Sequence, residues 1–256
     1  MAHYEPLTNF SVKKVIKRER HRLEKGTLIF PIDHAEVPLL VMDSMGQGFI
    51  RRPYMLFVLW HGGKIAQLKE WVYQQVPRLQ QYVPLPIRLI FMCGGNDITA
   101  GCLKPLDSPK SFTEDLLDHL RALDDWCTNK GVTLTMASVL PRPAEQDNRK
   151  SQNGAETRRF LSEVFILVNE YIEQRNERKD VAQLPVNLHL ERRRGTPRGN
   201  RNTREGGYCE RFYPGTRQNR MILNCFWDDW VHLSKNGTKA VWNMILRYMD
   251  QIRVPQ

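Results

Sequence analysis

Pro38-Leu-Leu-Val-Met-Asp43 is a short, unbroken apolar run that stops on a charge and continues as Ser44-Met45-Gly46. A run of this length without polar alternation is what a strand buried on both faces requires, and such strands belong to parallel sheets covered by helices. Two further runs have the same character. Tyr54–Trp60 (YMLFVLW) ends in His61-Gly62-Gly63-Lys64, and Ile87–Cys93 (IRLIFMC) ends in Gly94-Gly95-Asn96-Asp97, a cluster that ordinarily marks a turn. Val132–Val139 reads as a fourth strand leading into Leu140-Pro141-Arg142-Pro143, and Val186–Leu190 as a fifth. Helical segments lie between them. Ile65 to Gln75 follows the second run. Phe112 to Lys130 carries Leu116, Leu117, Leu120, Leu123 and Trp126 on one side, with Gly131 placed to close it, and Ala155 to Arg175 follows the fourth strand. Thr27–Phe30 reads as a short edge strand before Pro31. Alternating strands and helices predict an α/β domain with a central parallel sheet of about five strands.

Open sheets of this kind bind ligands beyond the carboxyl ends of their strands, so the residues at the strand ends carry the functional information. Ser44 stands at the first end. Gly62-Gly63 at the second lets the backbone turn tightly and present an N–H, and it is not a Walker loop, because the upstream Gly and the following Ser or Thr are absent. Near the carboxyl terminus, Phe226-Trp-Asp-Asp-Trp-Val-His-Leu-Ser-Lys-Asn-Gly-Thr-Lys239 puts Asp229 and His232 three residues apart, just before a predicted helix. Ser234 is its expected N-cap, and Val241, Met244, Ile245, Tyr248, Met249 and Ile252 give it one apolar face. Such a carboxylate can hold the imidazole Nδ1–H and leave Nε2 to take a proton from a hydroxyl. The same pair also serves elsewhere as a cap beside a surface histidine.

Asp43-Ser44, Gly62, Gly94-x-Asn96-Asp97 and Asp229-x-x-His232, in that order and each at a strand end or loop, resemble the four blocks of the SGNH (GDSL-like) hydrolase family. The resemblance runs from about Pro38 to Ile252. It implies a flavodoxin-like three-layer α/β/α sandwich and a serine esterase acting on a small acyl ester without a cofactor or metal. It also implies Ser44 as nucleophile, His232 as general base and Asp229 as its orienting acid, with the Ser44 N–H, the Gly62 N–H and the Asn96 side chain as the oxyanion hole. Ser138-Val-Leu-Pro-Arg-Pro143 and Val231-His-Leu-Ser-x-x-Gly237 are similar to the SGNH domains of animal retrotransposon first-reading-frame proteins and genes derived from them. In the retrotransposon proteins that domain accompanies nucleic-acid-binding segments, so the alternative implied is a catalytically inactive descendant that binds nucleic acid or assembles. Two positions depart from the family pattern. Met42 replaces the first-block Gly, and Trp230, where a small residue is usual, would narrow the substrate pocket beside the base.

Composition sets the remaining bounds. With 256 residues and 41% hydrophobic content the chain can bury a full core, and one domain spanning residues 27–256 is expected behind a basic extension at 1–26. No apolar run reaches membrane-spanning length, and MAHYEPLTNF lacks the order of a signal peptide, which predicts an intracellular, cytoplasmic or nuclear protein. Five cysteines without a CxxC indicate neither a disulfide framework nor a structural zinc site. The net charge of +10 is concentrated in two places. Residues 192–220 hold nine Arg against two Glu, and residues 11–25 hold seven Lys or Arg against two Glu, so the rest is nearly neutral. The first reads as a long loop with too few aliphatic side chains to order itself. Its Arg192, Arg193, Arg194, Arg198, Arg201 and Arg204, near Tyr208, Phe212 and Tyr213, suit RNA or single-stranded DNA. The second reads as a basic helix whose thin stripe of Val12, Val15, Ile16 and Leu23 lets it lie loosely on the domain.

Overall fold

The protein is described from a computed structural model covering residues 12–29, 35–101, 108–140, 154–181, 184 and 232–251. In chain order the elements are α1 (Val12–Glu24), β1 (Val37–Asp43), a 3-10 turn (Ser44–Gly46), β2 (Leu56–Trp60), α2 (Ile65–Gln80), β3 (Ile87–Met92), α3 (Gly95–Gly101), α4 (Pro109–Asn129), β4 (Thr133–Met136), α5 (Gly154–Arg178) and α6 (Lys235–Gln251). All strand pairs are parallel, and the order across the sheet is β2-β1-β3-β4. From β1 the chain steps outward to β2, then crosses back over β1 to β3. The direction of winding therefore reverses between β1 and β3, which is where a sheet of this order opens a crevice at its carboxyl edge.

The unbroken apolar runs form the central strands because both faces of those strands are covered. Every residue of β1 is buried, and Leu39, Leu40, Met42, Leu89, Ile90 and Phe91 are among the core side chains. Right-handed crossovers send α2, α4 and α5 to one face. There the Tyr73 hydroxyl of α2 donates to Ala122 O of α4 (2.8 Å), Tyr73 stacks on Trp126 (5.0 Å), and Arg175 of α5 pairs with Asp124 of α4. The opposite face takes α6, whose Tyr248 hydroxyl meets Thr135 and receives Arg88 (3.5 Å). Three layers result. Side chains of α5 also satisfy β4 and the segment after it. Arg175 donates to Leu134 O (2.7 Å), Asn176 to Met136 O (2.8 Å), and Asn169 brackets both backbone groups of Val139.

Four strands are found among the described residues rather than about five. Val186–Leu190 lies outside them, and beyond β4 there is a single parallel bridge, Ala137 to Leu184. Thr27–Ile29 is not a strand. The Thr27 N–H and hydroxyl both bond to Arg22 O (2.9 and 2.6 Å) after a left-handed Gly26 and so terminate α1, while Phe30 lies outside the described residues. Helix α2 runs five residues past the predicted Gln75. Pro77 removes one helical hydrogen bond, but Val76 and Leu79 remain buried and carry the helix through it. Gly131, at φ +62°, closes α4 as expected. Among the described residues no helix is long and apolar enough to cross a membrane.

Candidate active site

Ser44 owes its position to the way β1 stops. Asp43, the last strand residue, turns its carboxylate back to accept the Met45 N–H (2.9 Å), and the chain folds into a 3-10 turn with Ser44 first. Ser44 is buried, and among the described residues its hydroxyl makes no hydrogen bond, to His232 or to any other group. Met42 is accommodated by Gly46: a Cβ added there would lie 2.8 Å from Met42 Cε and 2.9 Å from its sulfur. The bulk of Met42 is thus taken up against the turn.

Register brings the second strand end alongside, since Asp43 pairs with Trp60. The chain then leaves β2 through His61 and Gly62. Gly62 sits at φ +70°, a left-handed conformation that suits glycine, and Gly63 N–H closes the turn on Trp60 O (3.0 Å). Among the described residues the Gly62 N–H has no hydrogen-bond partner. The third strand end is not a turn, as the Gly-Gly-Asn-Asp cluster predicts, but the start of α3, and that start holds the Gly62–Gly63 segment. Asn96 Nδ2 donates to Gly63 O (3.0 Å), Cys93 Sγ lies 3.7 Å from the same oxygen, and Asp97 accepts the Ile65 N–H at the start of α2 (3.0 Å).

His232 reaches this edge through α6. Ser234 caps that helix as predicted, accepting the Gly237 N–H (3.2 Å) on its hydroxyl while Thr238 N–H bonds to its carbonyl (2.8 Å). The helix start rests on the segment following Ser44. Trp242 stacks on Phe49 with centroids 5.1 Å apart, and a Cβ on Gly48 would lie 3.2 Å from Thr238 Cγ2. His232 is close enough to His61 for its charge to matter. Partial desolvation first, and repulsion from a charged His232 second, push the His61 pKa below its ordinary value. His61 was not among the residues the sequence singled out, although it directly precedes Gly62 at a strand end.

Asp97, part of the third block but given no role by the resemblance, is buried beside the start of α2. Burial, joined by the nearby Asp43 charge, pushes its carboxyl up to about 6, against the opposing pull of backbone N–H groups and Lys64. Behind the 3-10 turn, Met45, Met92, Cys93, Val139 and Leu140 line a small, largely apolar recess between the ends of β1, β3 and β4. The sheet thus brings Ser44, Gly62 and Asn96 to three adjacent strand ends, with His232 arriving from α6. Asp229, Trp230 and the arginines from Arg192 to Arg204 lie outside the described residues.

No family model and no curated protein matches this sequence. Solved structures do match in fold. A GDSL-like lipase from Bacteroides thetaiotaomicron is similar with a TM-score of 0.58 at 12% identity, covering 93% of this chain and 98% of its own. A protein described as an acylhydrolase from Bacteroides fragilis is similar with a TM-score of 0.57 at 10% identity, covering 92% of this chain and 97% of its own. A protein described as lipolytic and of the G-D-S-L family, from Desulfitobacterium hafniense, is similar with a TM-score of 0.50 at 12% identity, covering 82% and 98%. Each is matched over nearly its full length at low sequence identity. The chain has the three-layer α/β/α fold of the GDSL-like lipases.

Proposed function

We propose that the protein is a serine esterase that hydrolyses a small acyl ester. The observation that carries this reading is the position of Ser44, Gly62 and Asn96 just beyond the carboxyl ends of β1, β2 and β3, with His232, ahead of α6, near His61 at the same edge. A serine hydroxyl attacks a carbonyl carbon effectively only when a base takes its proton as the bond forms. In this reading His232 Nε2 takes that proton and Asp229 holds Nδ1–H. The negative charge that develops on the carbonyl oxygen falls to the Ser44 N–H, the Gly62 N–H and Asn96 Nδ2. His232 then returns the proton to the departing alkoxide, and a water activated by the same base releases the acid and restores Ser44. In this reading Trp230, next to Asp229 in the sequence, limits the acyl group to a small one.

A fluorophosphonate probe tests the assignment directly, because an activated serine displaces fluoride and keeps the phosphonyl group. The expected result is one adduct on the Ser44 peptide by mass spectrometry, absent from Ser44→Ala and formed on the order of 10²–10³ times more slowly by Asn96→Ala. Unlabelled wild type, or labelling that survives in Ser44→Ala, rejects it.

The charge run at 192–220 supports a second reading, in which the chain also binds RNA or single-stranded DNA, with or without turnover. Phosphate contacts release counterions, so affinity should fall steeply with salt. Replacing Arg192, Arg193, Arg194, Arg198, Arg201 and Arg204 with Gln should weaken binding of a labelled oligonucleotide and flatten that salt slope in a filter assay. Unchanged affinity removes this reading.

A further inference from the structure

Three large apolar side chains are exposed among the described residues: Ile29 at 61%, Ile50 at 64% and Tyr82 at 44%. An isolated exposed isoleucine needs no explanation. These three, however, all border one element, the basic helix α1. Ile29 follows the helix, and its N–H points to Pro53 O (3.4 Å). Ile50 leads into the same segment, where Arg22 of α1 donates to Arg52 O (3.1 Å), Pro53 O (2.6 Å) and Met55 O (2.8 Å). Tyr82 lies beneath Arg20, whose guanidinium is 5.8 Å from the ring centre.

Helix α1 is fixed in place. Ile16 and Leu23 pack on the core, and the buried Glu19 is paired with Arg51 and with Arg22 (3.7 Å). The remaining acid of the helix, Glu24, is held by Arg20 (2.7 Å). Both carboxylates are engaged, and Lys17, Arg18, Lys25 and Arg52 are exposed along and beside the helix, with Tyr82 on its Arg20 flank and Ile29 and Ile50 on its Arg22 flank.

We propose that this face docks on an anionic lipid surface. The pattern is the one interfacial binding calls for: branched aliphatic tips that enter the acyl boundary, a tyrosine whose ring is apolar and whose hydroxyl stays wet, and cations that meet the headgroups. A phosphate backbone would account for the cations but gives the bare isoleucines nothing to do, since bases stack on aromatic rings and guanidinium planes. A lipid surface accounts for both. The inference rests on α1 and its surroundings and is independent of the esterase reading.

Sedimentation of the full chain with vesicles tests it, comparing phosphatidylcholine alone with equal parts phosphatidylcholine and phosphatidylserine. Two variants separate the contributions: Lys17→Gln with Arg18→Gln, Lys25→Gln and Arg52→Gln, and Ile29→Ser with Ile50→Ser. All six positions are exposed, so thermal melts should match wild type. Wild type should bind the anionic vesicles and leave the neutral ones in solution. The charge variant should lose binding by at least roughly tenfold, because each basic residue near such a surface multiplies affinity several-fold. The isoleucine variant should lose roughly tenfold while keeping its dependence on salt. Failure of wild type to bind anionic vesicles overturns the proposal, as does binding that neither variant weakens. An isoleucine variant that binds as wild type, together with a charge variant that loses a single-stranded RNA, assigns the face to nucleic acid instead.

Discussion

Replacing Ser44 with alanine should lower turnover of a short aryl ester by on the order of 10⁴–10⁶-fold without unfolding the protein. The loss is large because the nucleophile, base and oxyanion donors act as one unit. For the same reason His232→Ala should cost about as much, and the double variant should be little worse than either single one. Folding should survive, because the Ser44 hydroxyl has no hydrogen-bond partner among the described residues, so alanine orphans no buried group. The turn is held instead by Asp43 and the Met45 N–H, which the substitution leaves in place. Steady-state hydrolysis together with a urea melt separates loss of chemistry from loss of fold. Equal turnover in wild type and Ser44→Ala would remove Ser44 from the mechanism, and two single losses that multiply in the double variant would show that the residues do not cooperate.

The sheet was legible in the sequence because parallel strands buried on both faces leave a mark that survives divergence: an unbroken apolar run of strand length that ends on small or polar residues. That mark located β1, β2 and β3 and, through their ends, Ser44, Gly62 and Asn96. It failed where the local signal contradicts the tertiary outcome. Gly95-Asn96-Asp97 has the composition of a turn, yet it opens α3, where Asn96 and Asp97 bond to the Gly63–Ile65 segment. His61 was invisible for a different reason. Its relation to His232 depends on α6 seating Trp242 against Phe49, a contact between segments far apart in sequence that no local pattern encodes. The thin stripe of α1 suggested a loosely attached helix. Its attachment comes from Glu19 and Arg22, charged residues that periodicity assigns to solvent and that are instead spent on Arg51 and three backbone carbonyls.

Asp97 should make the protein less stable as pH rises from about 4 to about 6, and Asp97→Asn should abolish that slope. The carboxyl is buried at the start of α2, near Asp43. The Ile65 N–H and Lys64 favour its charged form, but desolvation outweighs them, so its value in the folded protein is raised from 3.8 to about 6. A raised folded value means that the native state holds the proton over a range where the unfolded chain has released it. Stability from this group is therefore complete below the unfolded value, falls as pH rises through the window, and is level above the folded value. The shift corresponds to a loss of about 2–3 kcal/mol by neutral pH. Asparagine cannot ionise, and its side-chain oxygen can still accept the Ile65 N–H, so the clamp on the segment after Gly62 is preserved while the cost of a buried charge disappears. Urea melts of both proteins at intervals between pH 4 and pH 7 should therefore show the variant gaining on wild type by about that amount, with the gain accumulating between the two values. A constant difference across the range would mean that Asp97 titrates alike in the folded and unfolded chains, and that the Ile65 N–H and Lys64 together offset its burial.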